Sequence, residues 1–215
     1  MALKDYEGEL RASGYRIIAG VDEAGRGALA GAVVAAAVVL PLLGARIEGL
    51  RDSKQLSPEQ RERLFPIIRS TALSVGIGVV DEKTIDRINI LRATLLAMER
   101  AVSSLQPRPH FLLIDGNQLP SLPIPALALP KGESHSPSIA AASIVAKVTR
   151  DRLMGLYHEI FPRYSFVQHK GYGTVDHLRA LREHGPCPIH RRTFKGVKEL
   201  LRDEGMGDLF GEPHP

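Results

Sequence analysis

The chain is poor in the features that mark exported, membrane-bound or zinc-holding proteins. Its 215 residues contain one cysteine, Cys187. An intrachain disulfide is therefore excluded, and a reducing, cytoplasmic compartment is the expected setting. Cys187 lies in "GPCPIH", where nothing marks a nucleophile, so a buried or incidental thiol is expected. The N-terminal "MALKDYEGEL" has no apolar signal core. The longest apolar run, "LAGAVVAAAVVLPLLGA", is broken by Pro41 and rich in Ala and Val, so it reads as buried strand and not as a membrane span. No His/Cys spacing suits zinc. There is no internal repeat, and no low-complexity stretch apart from one proline-rich loop.

What is present is ordinary in amount and uneven in placement. Apolar residues make up 44% and charged residues 24% of the chain, which suits one sizeable folded domain. The formal charge is +4, but Ala146–Arg202 alone holds 12 Lys/Arg against 5 Asp/Glu. Such a basic stretch fits a polyanion partner or a plain solvated surface.

Pattern predicts a mixed α/β domain. "YRIIAGVDEAG", "GAVVAAAVVL" and "ALSVGIGVV" read as strands of an antiparallel meander. Ser57, Pro58 and Gln60 open a helix over "SPEQRERLFPIIRST", which Pro66 should kink or divide. Ile85, Ile88, Leu91, Leu95, Met98, Val102 and Leu105 recur at helical steps and read as one core-facing stripe. "HFLLIDG" is a short buried strand, and "LPSLPIPALALPKG" has room for one edge strand. Ser136 and Pro137 open a long helix that Pro162 bounds. A loop, "SFVQHKGYGT", a helix near "TVDHLRALREHG" and a last helix near "KGVKELLRDEG" complete the chain.

The chemistry concentrates at strand ends. Asp22 and Glu23 close the first strand, Asp115 closes "HFLLID", and Asp151 sits on the long helix. Four carboxylates gathered in one place require a hard cation, and oxygen-only ligands suit Mg²⁺ or Mn²⁺. Each acid alone reads as readily as a cap, a turn former or a surface partner of a residue such as Lys147 or Arg150. Spacing alone does not bring the four together. Neighbouring strand residues face opposite sides. Asp22 and Glu23 therefore share a site only if the strand ends or bulges there, or if Glu23 offers its backbone carbonyl. "GRGALAG" has no Lys-Ser/Thr pair and fails G-x-G-x-x-G, which removes the common nucleotide cradles. It remains a turn whose backbone lets another chain approach, with Arg26 available for a phosphate. Lys54, Lys131 and Lys170 stand in polar loops and are further candidates for phosphate contact.

Five motifs in order, "GVDEAGRGALAGAVVAAAVVL", "RDSKQLS", "LLIDG", "KGESHSPSIAAASIVAKVTRDRLM" and "HKGYGTVDHLRALREHGPCPIHRRTF", resemble the ribonuclease HII (type 2 ribonuclease H) family over about Tyr15 to Phe194. The resemblance implies a ribonuclease H-like mixed sheet flanked by helices over residues 1–160, with a helical C-terminal segment, 161–215, completing the substrate groove. It implies an endoribonuclease for RNA/DNA hybrids and for duplex DNA containing single ribonucleotides, cut on their 5′ side to leave 3′-hydroxyl and 5′-phosphate ends. Such an activity belongs to ribonucleotide excision repair. The implied cofactor is Mg²⁺ or Mn²⁺ in a two-metal site built from Asp22, Glu23, Asp115 and Asp151. Gly25, Arg26 and Gly27 would read the 2′-hydroxyl and Tyr172 would stack on the substrate. His190 and Arg191 would support the groove. A monomer without a membrane partner is expected. A sliding-clamp contact through Leu209 and Phe210 in "MGDLF" is the weaker reading of a tail better read as a disordered end. A non-catalytic hybrid binder would need the basic tail but not the acids, and a type 1 enzyme would not need the glycine turn or the tyrosine loop.

Overall fold

The computed structural model describes residues 5–41, 47–50 and 53–201. The chain runs α1 (Tyr6–Ala12), β1 (Ile18–Ala24), β2 (Val33–Val39), α2 (Pro58–Thr71), β3 (Ser74–Val80), α3 (Glu82–Ile88), α4 (Ile90–Ser103), β4 (Phe111–Asp115), β5 (Ala126–Leu129), α5 (Pro137–Ile160), α6 (Phe166–His169) and α7 (Val175–His184). The strands form one sheet in the order β3-β2-β1-β4-β5. The first three are antiparallel, as the meander predicts, although α2 lies between β2 and β3. β4 and β5 join in parallel, with β5 at the edge.

Both sheet faces are covered, which explains the unbroken apolar run of β2. Every residue of Val33–Val39 is buried. Val33, Ala35, Ala37 and Val39 meet Ala93, Ala97, Met98 and Ala101 of α4. Ala36 and Val38 meet α2 and α5, among them Leu64, Ile68, Ala141 and Val145. Alanine at the contact positions brings these helices close, so α5, 24 residues long, lies directly along β1 and β2.

Local chemistry explains several departures from the pattern. The expected single stripe is two helices, because Asn89 takes φ 68° and its Oδ1 accepts from the Arg92 amide. α2 continues unbroken through Pro66. The loop "SFVQHKGYGT" contains α6. α1 was not foreseen. Its buried Glu7 accepts from the Ser136 hydroxyl (2.6 Å), the Ser138 hydroxyl (2.7 Å) and the Ser138 amide (3.2 Å). A carboxylate at the positive end of a long helix is favourable, and it fixes the start of α5. The C-terminal segment returns to the core through bridges Ala28–Tyr172 and Ala30–His190. The last expected helix begins at residue 198, and its remainder, with Leu209 and Phe210, lies outside the described residues. Among the described residues no helix is long and apolar enough to cross a membrane.

Candidate active site

β1 and β4 are parallel neighbours, so Asp22 and Asp115 lie at the same end of adjacent strands. Asp22 is 3% exposed. Its Oδ1 accepts from the Glu23 amide at 2.6 Å, and Ser143 of α5 hydrogen-bonds its carboxylate. Ser143 is itself held by Ser53, 2.7 Å away. The strand neither ends nor bulges at Asp22–Glu23, since Asp22 pairs with Ala36 and Glu23 with Ala35 in unbroken register. Of the three ways for the pair to share a site, that leaves the Glu23 backbone carbonyl. Asp22 falls on the α5 side with Gly20, and Glu23 starts from the opposite face. The Glu23 carboxylate is held by Arg26 at 3.2 Å.

Burial and like charge act together on these acids. Desolvation, then Glu23 and Asp115, hold the Asp22 carboxyl well above the usual carboxylate range. Glu23 is raised by burial against the pull of Arg26 and Lys54. Asp115 is pushed up to about 7 by burial and by Glu133. Glu133 is an acid that the sequence reading did not single out. It is buried in the turn after Lys131, takes Lys54 Nζ at 3.0 Å and is lowered overall, through its hydrogen bonds from Asp115 and Lys54, despite its own desolvation. Its Oε2 has no hydrogen-bond partner among the described residues. The signal is the acid in "KGES", two residues beyond Lys131.

Asp151 stands differently. Lys147 Nζ lies 2.6 Å from its Oδ1 and Arg61 Nη2 3.9 Å from its Oδ2. Asp22, Glu23, Asp115 and Glu133 thus interact as one group, while Asp151 is engaged by two cations. Among the described residues no three Asp, Glu, His or Cys side chains are gathered closely enough to enclose an ion. The donor chemistry nevertheless suits one. Every candidate donor is an oxygen, and the carboxylate repulsion that raises proton affinity also favours a hard divalent cation.

This electrostatic state has a measurable sign. Asp115 has a folded-state value of about 7 against an ordinary 3.8. The folded protein therefore binds more protons than the unfolded chain between those values, and its stability falls as pH rises through that window. In chelator, Asp115→Asn is expected to raise Tm at pH 8, by about 2–4 °C for each kcal/mol of relieved repulsion. The gain should vanish near pH 4. Thermal melts at both pH values check this, and a lower Tm at pH 8 would contradict it.

The glycine turn lies beside the acids. Gly25 has φ 95°, and a Cβ there would meet Arg150 Nε at 1.9 Å, so only glycine fits. The Leu29 amide donates to the Gly171 carbonyl at 2.8 Å, which joins the turn to the Tyr172 loop. Lys147 Nζ and Arg150 Cζ lie 5.8 and 5.3 Å from the Tyr172 ring centre. Lys54 is paired with Glu133, Lys131 is exposed at φ 59°, and the Lys170 carbonyl accepts from Arg150.

Behind the tyrosine loop are three buried histidines. The Cys187 amide donates to His190 Nδ1 at 2.9 Å, leaving Nε2–H to face His177 Nε2 at 3.0 Å. His177 Nδ1 then donates to the Tyr172 carbonyl at 2.9 Å. Burial pulls His177 and His190 down to about 4, so both are neutral at physiological pH. His169 stacks on His177 with ring centres 4.3 Å apart.

A five-stranded mixed sheet flanked by helices, with acids at the ends of its two central parallel strands, defines a nuclease of the ribonuclease H-like class. Comparison with solved structures agrees. The ribonuclease H2 from Pyrococcus horikoshii OT3 superposes with a TM-score of 0.71 at 27% identity, covering 87% of this chain and 98% of that one. The Archaeoglobus fulgidus PCNA:RNase HII complex gives 0.71 at 25% identity over 83% of this chain and 95% of that chain. The family model for Ribonuclease HII matches residues 19–197. Ribonuclease HII of Geobacter sulfurreducens is 55% identical over 200 residues, 93% of this chain and 92% of that protein. The chain belongs to the ribonuclease HII family, the type 2 ribonuclease H endoribonucleases.

Proposed function

We propose that this protein hydrolyses the RNA strand of RNA/DNA hybrids and cuts duplex DNA on the 5′ side of single embedded ribonucleotides, leaving 3′-hydroxyl and 5′-phosphate ends. The observation that carries the reading is the contact of two unlike elements. A turn with an open backbone, Gly25–Arg26–Gly27, stands next in sequence to a group of acids whose affinity for protons is raised by burial.

Each residue then has a task. Asp22 and Asp115 through their carboxylates, and Glu23 through its backbone carbonyl, would hold divalent ions, Mg²⁺ or Mn²⁺, with Asp115 serving the attacking water. Asp151, steadied by Lys147 and Arg61, would serve the side of the leaving 3′ oxygen. When bound, such ions supply an activated water and neutralise charge on the leaving oxygen. Gly25 and Gly27, without side chains, let ribose come within hydrogen-bond reach, and a 2′-hydroxyl both donates and accepts there. Tyr172, backed by Lys147 and Arg150, offers a ring face to a sugar or base. Arg26, Lys131 and Lys170 are candidates for phosphate contact. Lys54 is a further candidate, since its side chain stays 74% exposed while its Nζ lies 3.0 Å from Glu133. Residues 161–201, tied to the turn by two bridges, would complete the groove.

A chelator experiment separates this from a binding protein. Cleavage of a duplex carrying one ribonucleotide should stop in EDTA and return with excess Mg²⁺ or Mn²⁺. Chelator-insensitive binding with no cleavage under any metal would favour the binder.

A further inference from the structure

Among the described residues two arginines are the largest fully buried side chains: Arg150 is 1% exposed and Arg191 0%. Burying a guanidinium is costly, and a packed apolar side chain fills such space at less cost. Both give all their nitrogens to backbone carbonyls. Arg150 Nε donates to Ala32 (3.0 Å), Nη2 to Ala30 (3.0 Å) and Nη1 to Lys170 (2.9 Å). Arg191 Nε donates to Gly31 (3.0 Å), Nη1 to Arg26 (2.9 Å) and Nη2 to Gly25 (2.7 Å).

The last two bonds have a geometric consequence. In a trans peptide the C=O and the N–H of one unit point in opposite directions. Arg191 draws the Gly25 and Arg26 carbonyls inward, so the amides of Arg26 and Gly27, their partners in those two peptide units, point outward. Arg26 and Gly27 are exposed, and a Cβ built on Gly27 meets nothing within 4 Å. Neither amide donates a hydrogen bond to the described residues. Two adjacent outward N–H groups make a receptor for one acceptor oxygen. The guanidinium also polarises both peptide units and so strengthens the two donors.

We infer that Arg191 is a positioning residue for ribose recognition: from beneath the turn it aims the Arg26 and Gly27 amides at the substrate's 2′-oxygen without touching substrate itself. Arg150 extends the clamp, fixing the segment between the turn and β2 to Lys170 and hence to the tyrosine loop. The inference rests on the substrate reading above.

Arg191→Lys keeps the charge but loses the planar fork. Two quantities are measured for the metal-loaded enzyme: kcat/KM on a duplex with one ribonucleotide, and Ki of an all-DNA duplex of the same sequence as competitor. The expected result is a loss in kcat/KM of about tenfold, the size of one or two mis-aimed hydrogen bonds, with Ki changed less than about twofold. A folded variant in which kcat/KM is unchanged, or in which kcat/KM and Ki worsen together, overturns the inference. Should the variant not fold, the unaltered protein decides. In EDTA, the Arg26 and Gly27 amide NMR signals should move more with the ribonucleotide duplex than with the all-DNA duplex, and equal movement overturns the inference. If the unaltered enzyme does not cleave the ribonucleotide duplex at all, the substrate reading itself has failed.

Discussion

Asp22→Asn is expected to lower kcat/KM on a single-ribonucleotide duplex by about 10³-fold or more while the protein stays folded. The two halves of that expectation have one cause. Asp22 is almost wholly buried beside Glu23 and Asp115, and its carboxyl is held well above the ordinary range by burial and by both neighbours. Asparagine has the same shape and no charge. It removes an anion that is unfavourable in the metal-free fold, so Tm in chelator should hold or rise. The same change removes a charged oxygen with which Asp22 would hold a cation, so activity should collapse. Activity and stability moving in opposite directions mark a residue kept for chemistry. Near-normal metal-dependent cleavage by folded Asp22→Asn would end the mechanism.

Gly20→Ala is expected to destabilise the protein by about 3 kcal/mol or more, at the upper end of single-substitution effects. A Cβ at residue 20 would lie 2.0 Å from the Ser138 carbonyl carbon and 2.2 Å from the Ile139 amide nitrogen. These are backbone atoms in the first turn of α5, so no side-chain adjustment relieves the clash. The helix itself must move away from β1. α5 also carries Ser143, which hydrogen-bonds Asp22, and Asp151, so the displacement should reduce activity as well. In a chain of this size the loss corresponds to a fall in Tm of roughly 6–12 °C. A melt within about 1 °C of the unaltered protein would show that the helix yields there at no cost.

The fold was legible wherever one residue type governs local structure. The seven-residue run of Val and Ala in β2, the Ser-Pro-x-Gln start of α2 and the Ser-Pro start of α5 each appear as read, because capping and burial act over a few neighbours. Errors came where a distant contact decides. α1 has little periodicity of its own, and what docks it is Glu7 meeting serines more than a hundred residues away. The break at Asn89 depends on one residue accepting a positive φ inside a continuous apolar pattern.

The candidate site divides in the same way. Asp22, Glu23 and Asp115 were visible as acids at strand ends, and parallel pairing of β1 with β4 puts Asp22 and Asp115 at one end of the sheet. No spacing rule shows Glu133, which reaches Asp115 and Lys54 through folding. The clamp of Arg191 on Gly25 and Arg26 spans some 165 residues of sequence, so nothing local in "HRRTF" indicates it. Likewise the histidine relay behind Tyr172 exists only once Cys187, His190 and His177 are brought together.

On the proposed function the acids and the glycine turn form one site that finds a ribose in DNA and cuts beside it. Mapping the fragments from an end-labelled duplex with a single ribonucleotide, in Mg²⁺ or Mn²⁺, tests it most directly. One cut is expected immediately 5′ of the ribonucleotide, with a 3′-hydroxyl on one fragment and a 5′-phosphate on the other. Cleavage confined to long RNA tracts, with the single-ribonucleotide duplex left intact, would contradict it.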